Sequence, residues 1–347
     1  MAGGFHEVLG GDCTFVVRDT SPDLLAPIPA ISVQAPSRFV SLFYFFKLPR
    51  LIRQHAWNTP DTIFFGQDSY LLVLLLVWRQ LGGYPYKVAS DWHQLFGDWR
   101  DRYIARRSDV LITTSRRLQE GLRVRTGVAK EKTATAYGGV HTALFTEKRA
   151  RSRAELRRSL GLPLAAVLVG YIGSFVSVAG AKGLETLVEA LTHLPPEYTV
   201  VLAGDRRNQA EALRTLARKL GVAERCVILP WLPYEKLVAC EVAMDVLVIP
   251  YPDTPHYRDY GFPMKVWEYM AAGRPIVYSK LPIIEEVLTG RGLPFVPGDS
   301  QSLAAAVCAA RDPAQEARAA KNTLEVEEYT WAARARCIWE VVRGRVH

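Results

Sequence analysis

Residues 257–288 read YRDYGFPMKVWEYMAAGRPIVYSKLPIIEEVL. Gly261 and Pro263 interrupt the chain, and Pro263 suits a first helical turn, where its missing N–H costs nothing. The spacing predicts a helix from Met264 to Ala272, with Val266, Trp267, Met270 and Ala271 available for burial. Gly273 ends it in the left-handed conformation, and Pro275 forbids continuation. A strand at Pro275–Ser279 follows, then a loop and the start of another helix. A polar loop that feeds a helix start gathers unpaired N–H groups and the positive end of the dipole, which favours an anion. Lys265 and Glu268, one turn apart, share a face of that helix.

Alternation extends in both directions. Ahead of the stretch, strands are expected at 61–66, 86–90, 110–113 and 134–137, separated by helices at 70–81, at 99–107 and from Ser115 to about Gly121. A basic helix at 151–160 crosses a linker that begins at Gly138. A second set follows: strands at 167–172, 199–203, 227–230 and 246–250, with helices at 184–194, 208–220 and 234–243. Beyond the stretch come a strand at 293–296 and helices at 301–311, 313–324 and 330–342. Strands and helices alternating in this way form doubly wound parallel sheets, here twice. The N-terminal region is less regular: MAGGFHEVLGG, a strand within GGDCTFVVRD, and a proline-rich stretch at 20–36 with an extended piece at 31–33. Residues 38–55 are aromatic and basic, and Pro49 is expected to kink or split them.

The chain has 347 residues, enough for two domains with cores of their own. Apolar residues make up 49% and charged ones 22%, the balance of a globular protein. A net charge of +8 and a pI near 9.2 point to anionic partners: phosphates or acidic lipid. No zinc-finger or aromatic RNA-reading signature occurs, so no nucleic-acid partner is expected. Five scattered cysteines without a CxxC read as small buried hydrophobes in a reducing cytoplasm. The longest apolar run, YLLVLLLVW at 70–78, is about half of a membrane span and reads as a core helix. The helix at 38–55 interleaves Arg38, Lys47, Arg50 and Arg53 with Phe39, Phe43, Tyr44, Phe45 and Phe46. Such a helix would suit peripheral docking at the inner face of an anionic membrane; alternatively its aromatics fill the core and its cations are solvated.

Residues 257–288 resemble the C-terminal signature of the GT-B nucleotide-sugar glycosyltransferases, family 4 (glycosyltransferase group 1) in particular. There PxKxxEYMAxGxPVV precedes a loop and an "EV" helix, and Pro263, Lys265, Glu268, Tyr269, Met270, Ala271, Gly273 and Pro275 fall in place. The resemblance covers most of residues 60–345 and is specific in 257–288. It implies two Rossmann-like domains facing a cleft: an acceptor domain at 1–145, a nucleotide-sugar domain at 165–325, and a final helix at 326–347 crossing back to the first domain. Against the family pattern, the sequence begins at the Gly-Gly loop, so the expectation is either that a first strand is missing or that the pattern is altered here. The implied activity is transfer of a sugar from a UDP- or GDP-linked donor to the hydroxyl of a glycan or lipid-linked acceptor, with retention of configuration.

Site residues follow from the same resemblance. Glu268 matches the glutamate that hydrogen-bonds the nucleotide ribose, and Lys182 matches the lysine that pairs with the diphosphate. The loop Tyr260, Gly261, Phe262 and Pro263 approaches the sugar and diphosphate; Tyr260 stands where many members carry a second glutamate. Ser174 replaces the usual arginine after Gly173, so Lys265 or Arg258 would supply the lost charge. In doubly wound sheets ligands bind beyond the carboxyl ends of the strands, which adds Gly204, Trp231 and Leu232 to the donor set. Asp91 and His93 close a strand near the family's catalytic or sugar-contacting histidine, and His141 replaces the aspartate that follows Gly-Val. No Asp-x-Asp pair occurs, so no metal is expected, nor any cofactor besides the nucleotide sugar. Two other readings stay open: a degenerate module that binds a nucleotide sugar without turnover, and a nucleotide-sugar epimerase.

Overall fold

In a computed structural model of the chain, residues 2–18, 30–33, 40–177, 180–205 and 209–346 are described. They divide into two units, one formed by Met1–Gly139 with Trp331–His347, the other by Val140–Thr330. The first unit contains β1 (Phe15–Arg18), β2 (Ala30–Val33), β3 (Ile63–Gly66), β4 (Lys87–Trp92), β5 (Val110–Thr113) and β6 (Thr133–Thr135). β3 to β6 form a parallel sheet in sequence order, while β1 and β2 pair in parallel by themselves. Helix Trp331–Val346 covers this sheet: Ala335, Ile338 and Val342 pack with Phe5, Ala89, Val110, Ile112 and Ala136.

The attachment of that helix is electrostatic as well as apolar. Arg334 is buried and donates to both oxygens of Asp91 at 2.8 Å, and also to the carbonyls of Ala136 and Tyr137. It thus ties the final helix to the ends of β4 and β6. Burial alone would raise the Asp91 carboxyl, but the His93 hydrogen bond and the Arg334 charge outweigh it and hold it below the usual range.

Local departures from the expected elements have identifiable causes. The helix capped by Ser115 does not stop at Gly121; it runs over Arg116–Thr126 because Leu118, Leu122 and Thr126 form one buried face, and Gly127 terminates it instead. Helix Val40–Gln54 passes through Pro49 unbroken, since Tyr44 and Leu51, on either side of the proline, pack against Trp57, Leu71 and Leu74. Its aromatics divide: Tyr44 is buried and Phe45 lies 5.0 Å from the Trp78 ring, whereas Phe46 faces outward with Arg50 and Arg53. Arg38 and Phe39 lie outside the described residues, as does most of the proline-rich stretch. Among the described residues, no helix is long and apolar enough to cross a membrane.

The second unit carries β7 (Val167–Ile172), β8 (Val176–Ser177), β9 (Gly180–Ala181), β10 (Tyr198–Asp205), β11 (Cys226–Pro230), β12 (Val246–Ile249), β13 (Ile276–Ser279) and β14 (Leu293–Phe295). Six of these make one parallel sheet in the order β11-β10-β7-β12-β13-β14, and β8 with β9 form a small hairpin. The chain winds outward from β7 through β10 to β11, then returns to the other side of β7 at β12. The carboxyl ends of β7 and β12 therefore flank the switch point, where such sheets hold ligands. A helix not foreseen, Thr142–Arg149, precedes the basic helix Arg153–Leu160. The latter is anchored by Arg153 and buried Arg157, both bonded to Asp245 at the foot of β12.

Arg334→Met should leave the Asp91 carboxylate buried beside His93 alone and cost about 3–5 kcal/mol. The exposed change Arg343→Met should stay within about 0.5 kcal/mol. Urea denaturation monitored by far-ultraviolet dichroism measures the difference; equal midpoints would refute the anchoring role.

Candidate functional site

Helix Lys265–Ala272 sits beside the switch point, one residue shorter than expected at its start. Before it, His256–Tyr260 form a single π-helical turn where an open loop was expected, closed by the Gly261 amide donating to His256 O at 2.7 Å. Phe262 then stacks on Trp267, and Trp267 on Tyr329 at 4.2 Å. Tyr269 is fully buried, and its hydroxyl accepts from the Ile172 amide at 3.0 Å, pinning the helix to the end of β7.

Lys265 is the centre of this arrangement. Its ammonium lies 2.5 Å from Glu268 Oε2 and 2.9 Å from Glu241 Oε1, and its side chain is only 12% exposed. The lysine stem passes directly under Gly173, where an added methyl would fall 2.5 Å from Lys265 Cε; the backbone there has φ +146°. Glycine at 173 is thus demanded both by conformation and by the lysine beneath it. Gly204 is held to glycine for a related reason, since a methyl there would meet the Gly173 carbonyl. The exposed ion pair that Lys265 and Glu268 could have formed is instead largely buried, and it is shared with a third charge.

Lys182 follows the β8–β9 hairpin and lies over two rings, 5.9 Å from the centroid of Tyr171 and 5.8 Å from that of Tyr251. Burial pushes its ammonium down to about 8; the like charge of Lys265 adds to the effect and Glu268 opposes it. Lys182, Lys265 and Glu268 therefore act on one another electrostatically. Ser174 offers no replacement for an arginine: its hydroxyl donates to Val176 O and its carbonyl accepts from Tyr171. Arg258 lies 3.4 Å from Asp253 and 3.4 Å from Asp259, so its charge is balanced locally. Lys265 is likewise matched by carboxylates, which leaves Lys182 as the lysine of this cluster with no carboxylate in contact among the described residues.

The remaining donor candidates are placed less centrally. Trp231 is 41% exposed and its amide donates to Asp205 O at 3.0 Å, with half-buried Leu232 following. Tyr260 is half-buried at the end of the π turn, and Pro263 is buried. Sequence reading missed Glu241, Tyr171 and Tyr251. Glu241 had a signal: a lone acid inside the apolar run LVACEVA of helix Tyr234–Ala243.

In the first unit, His93 Nε2 lies 3.0 Å from Asp91 Oδ2, and the imidazole is 44% exposed while the carboxylate is wholly covered. Asp91 is thus not placed as a reacting carboxylate, because Arg334 and His93 occupy its oxygens. It can orient the His93 ring. His141, in the second unit, precedes helix Thr142–Arg149 and approaches Tyr234 edge-on; burial lowers its basicity.

Residues 166–312 match the family model described as Glycosyl transferases group 1. A D-inositol 3-phosphate glycosyltransferase from Xylanimonas cellulosilytica is 31% identical over 176 residues, spanning 49% of this chain and 40% of that protein. The Corynebacterium efficiens protein of the same name is 25% identical over 300 residues, spanning 82% and 69%. Among solved structures, Anabaena Alr3699/HepE in complex with UDP superposes with a TM-score of 0.78 over 98% of this chain and 94% of that one, at 17% identity. Sucrose-phosphate synthase from Thermosynechococcus elongatus gives 0.74 over 99% and 91%, at 22% identity. Residues 166–312 are thus similar to the group 1 glycosyltransferases, and the two parallel-sheet α/β units share the GT-B fold of these solved structures.

Proposed function

We propose that the chain transfers a sugar from a UDP- or GDP-linked donor to the hydroxyl of a glycan or lipid-linked acceptor, with retention of configuration. The observation that supports this most is the charge cluster beside the β7–β12 switch point, where Lys182 and Glu268 act on each other electrostatically. In this reading the Glu268 carboxylate accepts from the ribose hydroxyls and Lys182 neutralises the diphosphate as the glycosidic bond breaks. Aromatic walls at Tyr171 and Tyr251 keep the ammonium poorly hydrated, so its field is felt more strongly. His93, oriented by Asp91, is the acceptor-side group. The leaving phosphate takes the acceptor proton, so no stronger protein base is required.

Glu268→Ala should weaken UDP or GDP by about ten- to hundred-fold, the equivalent of charge-assisted hydrogen bonds of roughly 1.5–3 kcal/mol. It should weaken the free nucleoside as well. Lys182→Ala should weaken the diphosphate alone. Isothermal titration separates the two, and a Glu268→Ala protein that binds like the wild type would sink the assignment.

A lysine displaced from its ordinary 10.5 to about 8 loses its charge as pH rises through that value. Affinity for UDP should therefore be level below pH 8 and fall above it, by at most about tenfold per unit, until the complex itself deprotonates. Lys182→Ala should remove that slope. For the stereochemistry, the anomeric proton of the product should show the same configuration as the donor by NMR; inversion would refute retention.

A further inference from the structure

Glu241 has no role in the reading above, yet its position is unusual. It belongs to helix Tyr234–Ala243, in which every residue from Leu237 to Ala243 is buried, and it is itself 0% exposed. Its Oε1 accepts from Lys265 at 2.9 Å, while its Oε2 has no hydrogen-bond partner among the described residues. A carboxylate in such surroundings is costly, and apolar side chains in place of the whole ion pair would serve the packing at least as well. Packing by itself therefore does not account for an acid at this place; its partner Lys265 does.

Geometry offers a different account. The Lys265 ammonium is held from two sides, by Glu241 on one helix and Glu268 on its own, with its stem under Gly173. Remove Glu241, and the ammonium retains only Glu268. It is then free to swing outward and draw the Glu268 carboxylate with it. With Glu241 present, the lysine is held between two helices and Glu268 Oε2 lies 2.5 Å from it.

We propose that Glu241 is a positioning residue for the nucleotide site: it anchors Lys265 beneath Gly173 and, through Lys265, sets the orientation of Glu268. This rests on the reading of Glu268 as the donor-recognition carboxylate. It adds a second helix to the site and a buried charge that never touches the ligand.

The test is titration of UDP and of GDP into the full chain as wild type, Glu241→Gln, Glu241→Leu, Glu268→Gln and the double Glu241→Gln/Glu268→Gln. The better-binding nucleotide should be weakened by about three- to tenfold in Glu241→Gln and more in Glu241→Leu, as for a lost charged hydrogen bond acting through a neighbour. The double variant should bind within about twofold of Glu268→Gln alone, because both changes act through one carboxylate. All variants should keep the wild-type far-ultraviolet dichroism at the titration temperature, and Glu241→Gln, which keeps the volume and a polar partner for Lys265, carries the comparison that separates positioning from loss of fold. Additive losses in the double variant, or wild-type affinity in both Glu241 variants, would overturn the proposal and leave the donor reading standing. Should the wild type bind neither nucleotide, the donor reading fails, and this proposal with it.

Discussion

Burial of the Lys265 ammonium is the constraint on which the second unit's site depends. An ammonium that is 12% exposed needs opposite charge at contact distance, and two carboxylates supply it from two helices. Their demand fixes the relation between helix Tyr234–Ala243 and helix Lys265–Ala272, and the stem between them leaves room only for glycine at 173. Gly173 in turn crowds Gly204, so one buried charge propagates to the ends of β7 and β10. The tyrosine hydroxyl of residue 269 completes the frame by accepting from Ile172 at 3.0 Å.

The electrostatics of this region differ from those of a surface patch. Burial pushes the Glu241 carboxyl up, with the Lys265 ammonium opposing and Glu268 reinforcing the shift, and burial pushes Lys182 down to about 8. Burial thus works against the charge of both groups, and for Glu241 the contact with the Lys265 ammonium works to keep it. Such pairs arise where charges are deprived of water yet kept within reach of one another.

The first unit uses the same device for another purpose. Arg334 closes four hydrogen bonds, two to Asp91 and two to the carbonyls that follow β6, and so binds the final helix to the end of β4, just before His93. A guanidinium suits this task because its planar fork meets a carboxylate with two donors and still has others for carbonyls. The histidine gains a partner at 3.0 Å that is itself held by the guanidinium.

Much of the architecture was legible from periodicity and punctuation. The alternation of strands and helices, the stop at Gly273 and the string around Glu268 each rest on neighbours within a few residues, which the sequence displays directly. Errors arose where burial overrode a local signal: Gly121 did not end its helix, Pro49 did not break its own, and the loop before Pro263 wound into a π turn. The site shows the same division. Sequence alone determined which residue types stand at the carboxyl ends of the strands and that Lys265 and Glu268 share a helical face. Only the tertiary structure decided that Lys265 turns inward to Glu241, that Asp91 is bonded to Arg334, and that Lys182 lies over Tyr171 and Tyr251. These partners are separated by 24, 243, 11 and 69 positions, and long-range contacts of that kind are fixed by packing rather than by any pattern along the chain.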